Sequence, residues 1–229
     1  MSLLLKVLSD AKIDPSIQAA YFLPGCAIIF IFVWTLFDML KAGFARDEAP
    51  RSVFPSIAGH YRCGSPFHGG KNKDTLIGDE ALVKAFALFL KNPIERGMVT
   101  DWDYMEKIWY HTFYNELRVD PAEHPVLLTE VSKDNRRNRE KMIQILFETF
   151  DVPSFYVCMQ SVLSLSPLGR TTEIVCEIDG SSNQVVPIFE NCVINKAIRK
   201  SLMSGRDLTQ RLQKILCENG YIKSQICWK

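Results

Sequence analysis

His124-Pro-Val-Leu-Leu-Thr-Glu130 decides the fold class. The run is apolar, short, and set between two stretches with helical periodicity. An uninterrupted apolar run of this length suits a parallel strand buried on both faces, because helices then cover the sheet above and below. On its N-terminal side Met105, Ile108, Trp109, Thr112 and Phe113 fall at i, i+3, i+4, i+7 and i+8. That stripe predicts a helix over 101–117, capped by Thr100 or Asp101. On the other side Met142, Ile145, Leu146 and Phe150 predict a second helix over 138–150, with Asn138 as its cap. Pro153 suits the first turn of a third helix, expected over 153–165.

Beyond it, Glu173-Ile-Val-Cys-Glu177 and Gln184-Val-Val-Pro-Ile-Phe-Glu190 flank Ile178-Asp-Gly-Ser-Ser-Asn183, a hairpin signal with Asp-Gly at its centre. These strands are expected in the same parallel-containing sheet as 124–130. A last helix is expected over 206–217, with Leu208, Leu212, Ile215 and Leu216 as a core-facing stripe and Gly220 as its stop. Towards the N-terminus, Ser52-Val-Phe-Pro-Ser-Ile57 reads as extended. Gly59 to Gly78 reads as a mobile surface loop, and Asp79-Glu80 opens a helix through Leu90 that Asn92-Pro93 stops. Strands alternating with helices make an α/β protein.

The composition agrees. The 229 residues are 47% hydrophobic and 23% charged, and 27 Lys+Arg against 26 Asp+Glu leave +1. No basic field calls for nucleic acid. Seven scattered Cys without a C-x-x-C exclude a zinc ribbon or thioredoxin motif and suit a reducing compartment better than a disulfide scaffold. His60-x-x-Cys63 with His68 is a weak metal pattern inside a loop, and Gly69-Gly-Lys-Asn-Lys73 lacks the Walker A spacing.

Residues 1–40 stand apart, because no charge occurs between Asp14 and Asp38. Three readings fit residues 19–37: a buried strand, a membrane anchor or a signal peptide. Pro24 and Gly25 leave an uninterrupted apolar core about half as long as the ~20 residues a spanning helix needs, and Ile, Phe, Val and Trp are strand formers.

Many segments also resemble actin. They are Lys41-Ala-Gly-Phe-Ala45, Asp47-Glu-Ala-Pro-Arg51, Val53-Phe-Pro-Ser-Ile57, Gly78-Asp-Glu-Ala81, Asn92-Pro-Ile-Glu-Arg-Gly97, Trp102 through Arg118, 124–130, Asn138-Arg-Glu-Lys-Met142, Gln160-Ser-Val-Leu-Ser-Leu165, Gly169-Arg-Thr-Thr172 and Gly205-Arg-Asp-Leu-Thr209. Their order is collinear from about Lys41 to Gly220. The resemblance implies part of the actin-like, ribonuclease H-like ATPase fold: the first and second subdomains and the start of the third and fourth. Residues 1–40 are then a non-matching apolar segment, 41–229 a truncated actin-like domain, and 56–92 its second-subdomain insertion. The matched stretch resembles roughly the first half of an actin. Most residues of the adenine pocket would belong to the other half.

Actins hold ATP with Mg between two glycine-containing turns. The first reads Asp-Asn-Gly-Ser-Gly in the family, and here the matching stretch, counted back from Lys41, is Trp34-Thr-Leu-Phe-Asp38. Backbone amides reach a phosphate only where side chains leave room, so this turn is expected not to bind one. The second turn becomes Glu177-Ile-Asp-Gly-Ser-Ser-Asn-Gln184. The resemblance makes Gln160 the water-positioning glutamine and Glu177 an indirect Mg ligand. Lys41, Asp179, Gly180, Ser181, Ser182 and Gly205 become the residual ATP or ADP contacts. Gln184 occupies the family's catalytic histidine position and cannot relay a proton as imidazole does.

The expected function is that of an actin-like cytoskeletal protein of the cytoplasm with a degraded nucleotide site, acting through actin or actin-binding proteins. The alternatives are an actin-type ATPase, a membrane-tethered fragment held by residues 19–37, and a non-functional splice or gene-model product. Phe67, flanked by Pro66 and His68, is a candidate partner anchor in the loop from His60 to Asp74.

Overall fold

The computed structural model describes residues 31–36, 39–45, 47, 49–61, 75–95, 97–131, 136–165, 168–178, 180, 183–201 and 203–221. Its main sheet has five strands in the order β10-β9-β1-β2-β3. These are β1 (Ile31–Leu36), β2 (Met39–Phe44), β3 (Ser52–Pro55), β9 (Val126–Glu130) and β10 (Phe155–Met159). β9 lies parallel to both neighbours, with Ile31 opposite Val126 and Phe155 opposite Val126 across the two registers. Every residue of β9 is buried, as its uninterrupted apolar run requires.

Helices pack on this sheet. α2 (Trp102–Tyr110) is capped by Asp101, whose carboxylate accepts from the Tyr104 N–H, and it continues as a π-helical segment, His111–Leu117. Met105, Ile108, Trp109, Thr112 and Phe113 are all buried, so the 3.6-residue stripe faces the core as expected. α3 (Arg136–Glu148) buries Met142, Ile145 and Leu146, and Phe150 beyond it meets Phe113 edge-on at 5.3 Å. α3 begins before Asn138, so that residue lies within the first turn rather than capping it.

Several expectations fail for identifiable reasons. Residues 153–165 are not one helix: Phe155–Met159 forms β10 and only α4 (Gln160–Leu165) is helical. Phe, Tyr and Val prefer a pleated surface, and five backbone partners on β9 outweigh the local helical pattern. The helix opened by Asp79 ends at Val83 (α1, Asp79–Val83), and Leu88–Lys91 becomes β6. β6 pairs with β4 (Ala58–Tyr61), which also pairs with β5 (Leu76–Ile77), so both ends of the expected loop are sheet, and β7 (Ile94–Glu95) pairs with β8 (Met98–Val99) just beyond. Residues 62–74 lie outside the described residues.

Finally, β11 (Glu173–Ile178) and β12 (Asn183–Phe189) form the expected hairpin in a separate sheet with β13 (Cys192–Val193) and β14 (Arg199–Ser201). α5 (Gly205–Glu218) starts on a capping box of Ser204 and Asp207 and ends on Gly220 at φ 73°. Its last carbonyls accept from Gly220 N and Tyr221 N, a helix stop that needs a residue at ease in the left-handed region. The stripe expected to be core is not buried: Leu208, Leu212 and Ile215 are exposed.

Of the three readings of residues 19–37, Ile31–Leu36 is a sheet strand, paired with β2 on one side and β9 on the other. Residues 19–30 lie outside the described residues. No described helix is long and apolar enough to cross a membrane.

Candidate functional site

The parallel strands β1, β9 and β10 end at one edge of the main sheet, the edge at which open α/β sheets bind ligands. Three segments follow directly: the β1–β2 connection, Val131, and Gln160 at the start of α4. The β11–β12 hairpin is drawn to this edge by Gln184. Its Nε2 donates to the Val131 carbonyl at 3.0 Å and to Glu177 Oε2 at 2.5 Å. Glu177 and Gln184 are cross-strand partners, so the sheet register itself brings them together.

Val131 is held from behind. Glu130, with a side chain 5% exposed, takes a two-pronged ion pair from Arg139 of α3, one prong being Nε to Oε2 at 2.7 Å. The Glu130 carboxylate holds the Arg139 guanidinium above its ordinary pKa. Burial raises the phenol of neighbouring Tyr156.

Gln160 is buried at the N-terminus of α4, and its Oε1 has no hydrogen-bond partner. The same holds for Ser161 Oγ and Gln184 Oε1. Buried polar atoms are nearly always bonded, so orphaned oxygens on two segments at one sheet edge are places for water or ligand.

The other expected contacts are less complete. Gly180 accepts from Arg206 N at 2.8 Å, which brings the hairpin turn to the first turn of α5, where Gly205 sits. Asp179, Ser181 and Ser182 lie outside the described residues. Lys41 stands opposite Trp34 and Val53, partly exposed, and has no hydrogen bond or ion pair to Gln160, Glu177 or Gln184 among the described residues. Sequence reasoning missed the Val131 carbonyl and Ser161. A backbone acceptor carries no sequence signal, and Ser161 could have been found only from its place after Gln160.

At two positions the sequence departs from the glycine turn and the histidine that the resemblance implies for a triphosphate site. Leu36 pairs with Met39, so only Phe37 and Asp38, themselves outside the described residues, connect β1 to β2. A phosphate cradle needs bare amides, and neither residue is glycine. Gln184 spends its amide donors on Glu177 and Val131, and its Oε1 is left buried without a hydrogen-bond partner. No group of three metal-ligating side chains occurs among the described residues.

One comparison with known proteins bears on this arrangement. The actin family model matches residues 37–225, most of the chain and nearly all of the sheets and helices just described. The mixed sheets and helices fit a partial α/β actin-like fold, and the chain belongs to the actin family.

Proposed function

We propose that this actin-family chain acts in the cytoplasm as a cytoskeletal protein, through contacts with actin or actin-binding proteins, and that its nucleotide cleft is degraded. The observation that carries this reading is the pairing of Gln184 with Glu177 at 2.5 Å and with Val131 at 3.0 Å. In actins the corresponding positions hold a histidine and an Mg-associated carboxylate. Here an amide with no accessible protonation at neutral pH bridges the carboxylate to the backbone.

Hydrolysis of a phosphoanhydride depends on positioning and on preorganised charge. A carboxylate already engaged by an amide, beside a first turn without glycine, supplies little of either. Lys41, the Asp179 to Ser182 turn and Gly205 remain as weak nucleotide contacts, and Gln160 as a vestigial water-positioning group.

The unpartnered Ser161 hydroxyl, able to donate beside Gln160, favours one second reading, in which the cleft still binds ATP or ADP without turning it over. Calorimetric titration with ATP and Mg separates the two readings of the cleft. Co-sedimentation with actin filaments tests the proposed role, and Phe67→Ala tests the loop anchor. Phosphate release is expected to fall at least ~100-fold below that of a conventional actin, as loss of a positioned group typically gives. Release at a conventional rate, abolished by Gln160→Ala, would overturn the reading.

A further inference from the structure

Leu208, Leu212 and Ile215 of α5 are 60%, 55% and 38% exposed. They stand at i, i+4 and i+7, one apolar stripe along a helix of 14 residues. Gln213, Leu216 and Cys217, on an adjoining arc, are less exposed, so α5 rests on that side and turns the stripe outward. Met203, just before the helix cap, is also exposed.

Basic side chains border the stripe. Arg211 follows Leu208 by three residues and precedes Ile215 by four, which sets it beside both. Lys214 lies one turn further on, and its pair with Glu218, at 4.0 Å between exposed groups, is a weak one. β14 leads into α5 and adds Arg199, and Lys196 lies in the 3-10 turn before it. Arg199 is opposite Val185 in the register, so it projects from the sheet face that Gln184 does not use. From Lys196 to Lys214 six residues are basic and only Asp207 is acidic, in a chain whose total charge is +1. The Asp207 carboxylate already accepts from the Ser204 N–H and hydroxyl in the helix cap.

We propose that α5 and the segment leading into it form a docking surface for an anionic lipid membrane. The helix lies in the plane of the headgroups. Leu208, Leu212 and Ile215 sink about 5–10 Å, to the acyl boundary, and Lys196, Arg199, Arg211 and Lys214 meet lipid phosphates and carboxylates. Two observations favour a membrane over an acidic peptide. The stripe runs along an outward ridge, which a fluid layer accepts, whereas a peptide partner needs a groove. The cations are spread over a strand, a turn and a helix, a spacing that mobile headgroups satisfy without a fixed counterpart. The contact uses neither the nucleotide residues nor the run 19–37, and it goes beyond the cytoskeletal reading without depending on it.

Flotation of the full chain with vesicles of phosphatidylcholine alone, and of phosphatidylcholine with about 30% phosphatidylserine, tests this. Binding to the anionic vesicles is expected to be at least ~10-fold tighter. It should fall at least ~10-fold as salt rises from about 0.1 M to about 0.5 M, where the Debye length drops to about 4 Å. Each basic side chain at such a surface adds roughly fivefold, so Lys196→Glu with Arg211→Glu should weaken binding at least ~20-fold, while Arg211→Lys should leave it unchanged. Leu208→Ser with Leu212→Ser should weaken it at least ~10-fold by removing the buried stripe. Far-UV circular dichroism of the free variants should match that of the wild type, because the altered side chains are exposed. If the serine variant loses helix, the salt series and the charge reversals still decide. Equal binding to both kinds of vesicle, as an anchor in 19–37 would give, overturns the proposal. So does anionic binding indifferent to salt or to the charge reversals. Serine variants that stay folded and bind vesicles as the wild type does, with soluble polyglutamate displacing the lipid, would assign an acidic peptide instead and also overturn it.

Discussion

Replacing Gln184 with leucine removes a polar link between the two sheets while nearly conserving volume. Gln184 is 3% exposed, and its Nε2 serves Glu177 Oε2 at 2.5 Å and the Val131 carbonyl at 3.0 Å. Leucine strips a donor from each acceptor. An unsatisfied buried acceptor costs about 1–3 kcal/mol, towards the upper end for a carboxylate. Against this, the substitution removes Gln184 Oε1, which is itself buried without a partner, and returns about 1 kcal/mol. Glu177 is only half-buried and regains some hydration, so the net loss is about 2–4 kcal/mol. With an m-value of about 2 kcal/mol/M, the urea midpoint should fall by about 1–2 M. The double variant Gln184→Leu with Glu177→Leu should lose less than the two single losses added together, because the penalty is shared. A midpoint within about 0.25 M of wild type would refute the claim that this amide joins the sheets.

Three further outcomes follow from the same geometry. Arg139→Leu should cost about 3 kcal/mol by leaving buried Glu130 without its counter-charge, and adding Glu130→Leu should recover most of it in thermal unfolding. Phe113→Ala, at a fully buried site against Phe150, should cost about 3–5 kcal/mol, whereas Leu212→Ala on exposed α5 should change stability by less than about 0.5 kcal/mol; denaturant titration of both variants checks the contrast. The Asp101 carboxyl is held below the ordinary carboxylate range, first by the hydrogen bond from the Lys91 ammonium and then by the Tyr104 N–H of the helix cap. A depressed folded-state pKa gives stability that is present above the unfolded value of about 3.9 and is lost as pH falls through the folded one. Asp101→Asn should therefore flatten the loss of helical circular dichroism below about pH 4 while keeping the cap, and an unaltered acid transition would sink this assignment.

The amino-acid sequence alone determined the elements whose information is local. Met105 to Phe113 and Met142 to Phe150 repeat every three or four residues, and both stripes are buried. Of the run 124–130, Val126–Glu130 became a fully buried parallel strand, and Asp101 and Gly220 set a cap and a stop. Substitution of the phosphate turn and of the histidine position was legible too, because the resemblance aligned them residue by residue.

Pairing between distant segments is a different kind of information, and only the tertiary structure decided it. Phe155–Met159 carries both helical and strand signals, and the free edge of β9 settles the choice. The hairpin stands in a sheet of its own with β13 and β14 and packs Val186 and Ile188 against Met159 and Leu165, an arrangement that nothing in its alternation specifies. The stripe of α5 has the same periodicity as that of α2 yet lies exposed, since periodicity states which face is apolar and not what meets it. The amide of Gln184 reaches a carbonyl 53 residues earlier in the chain, and a backbone acceptor looks the same under every side chain until folding brings it within 3.0 Å.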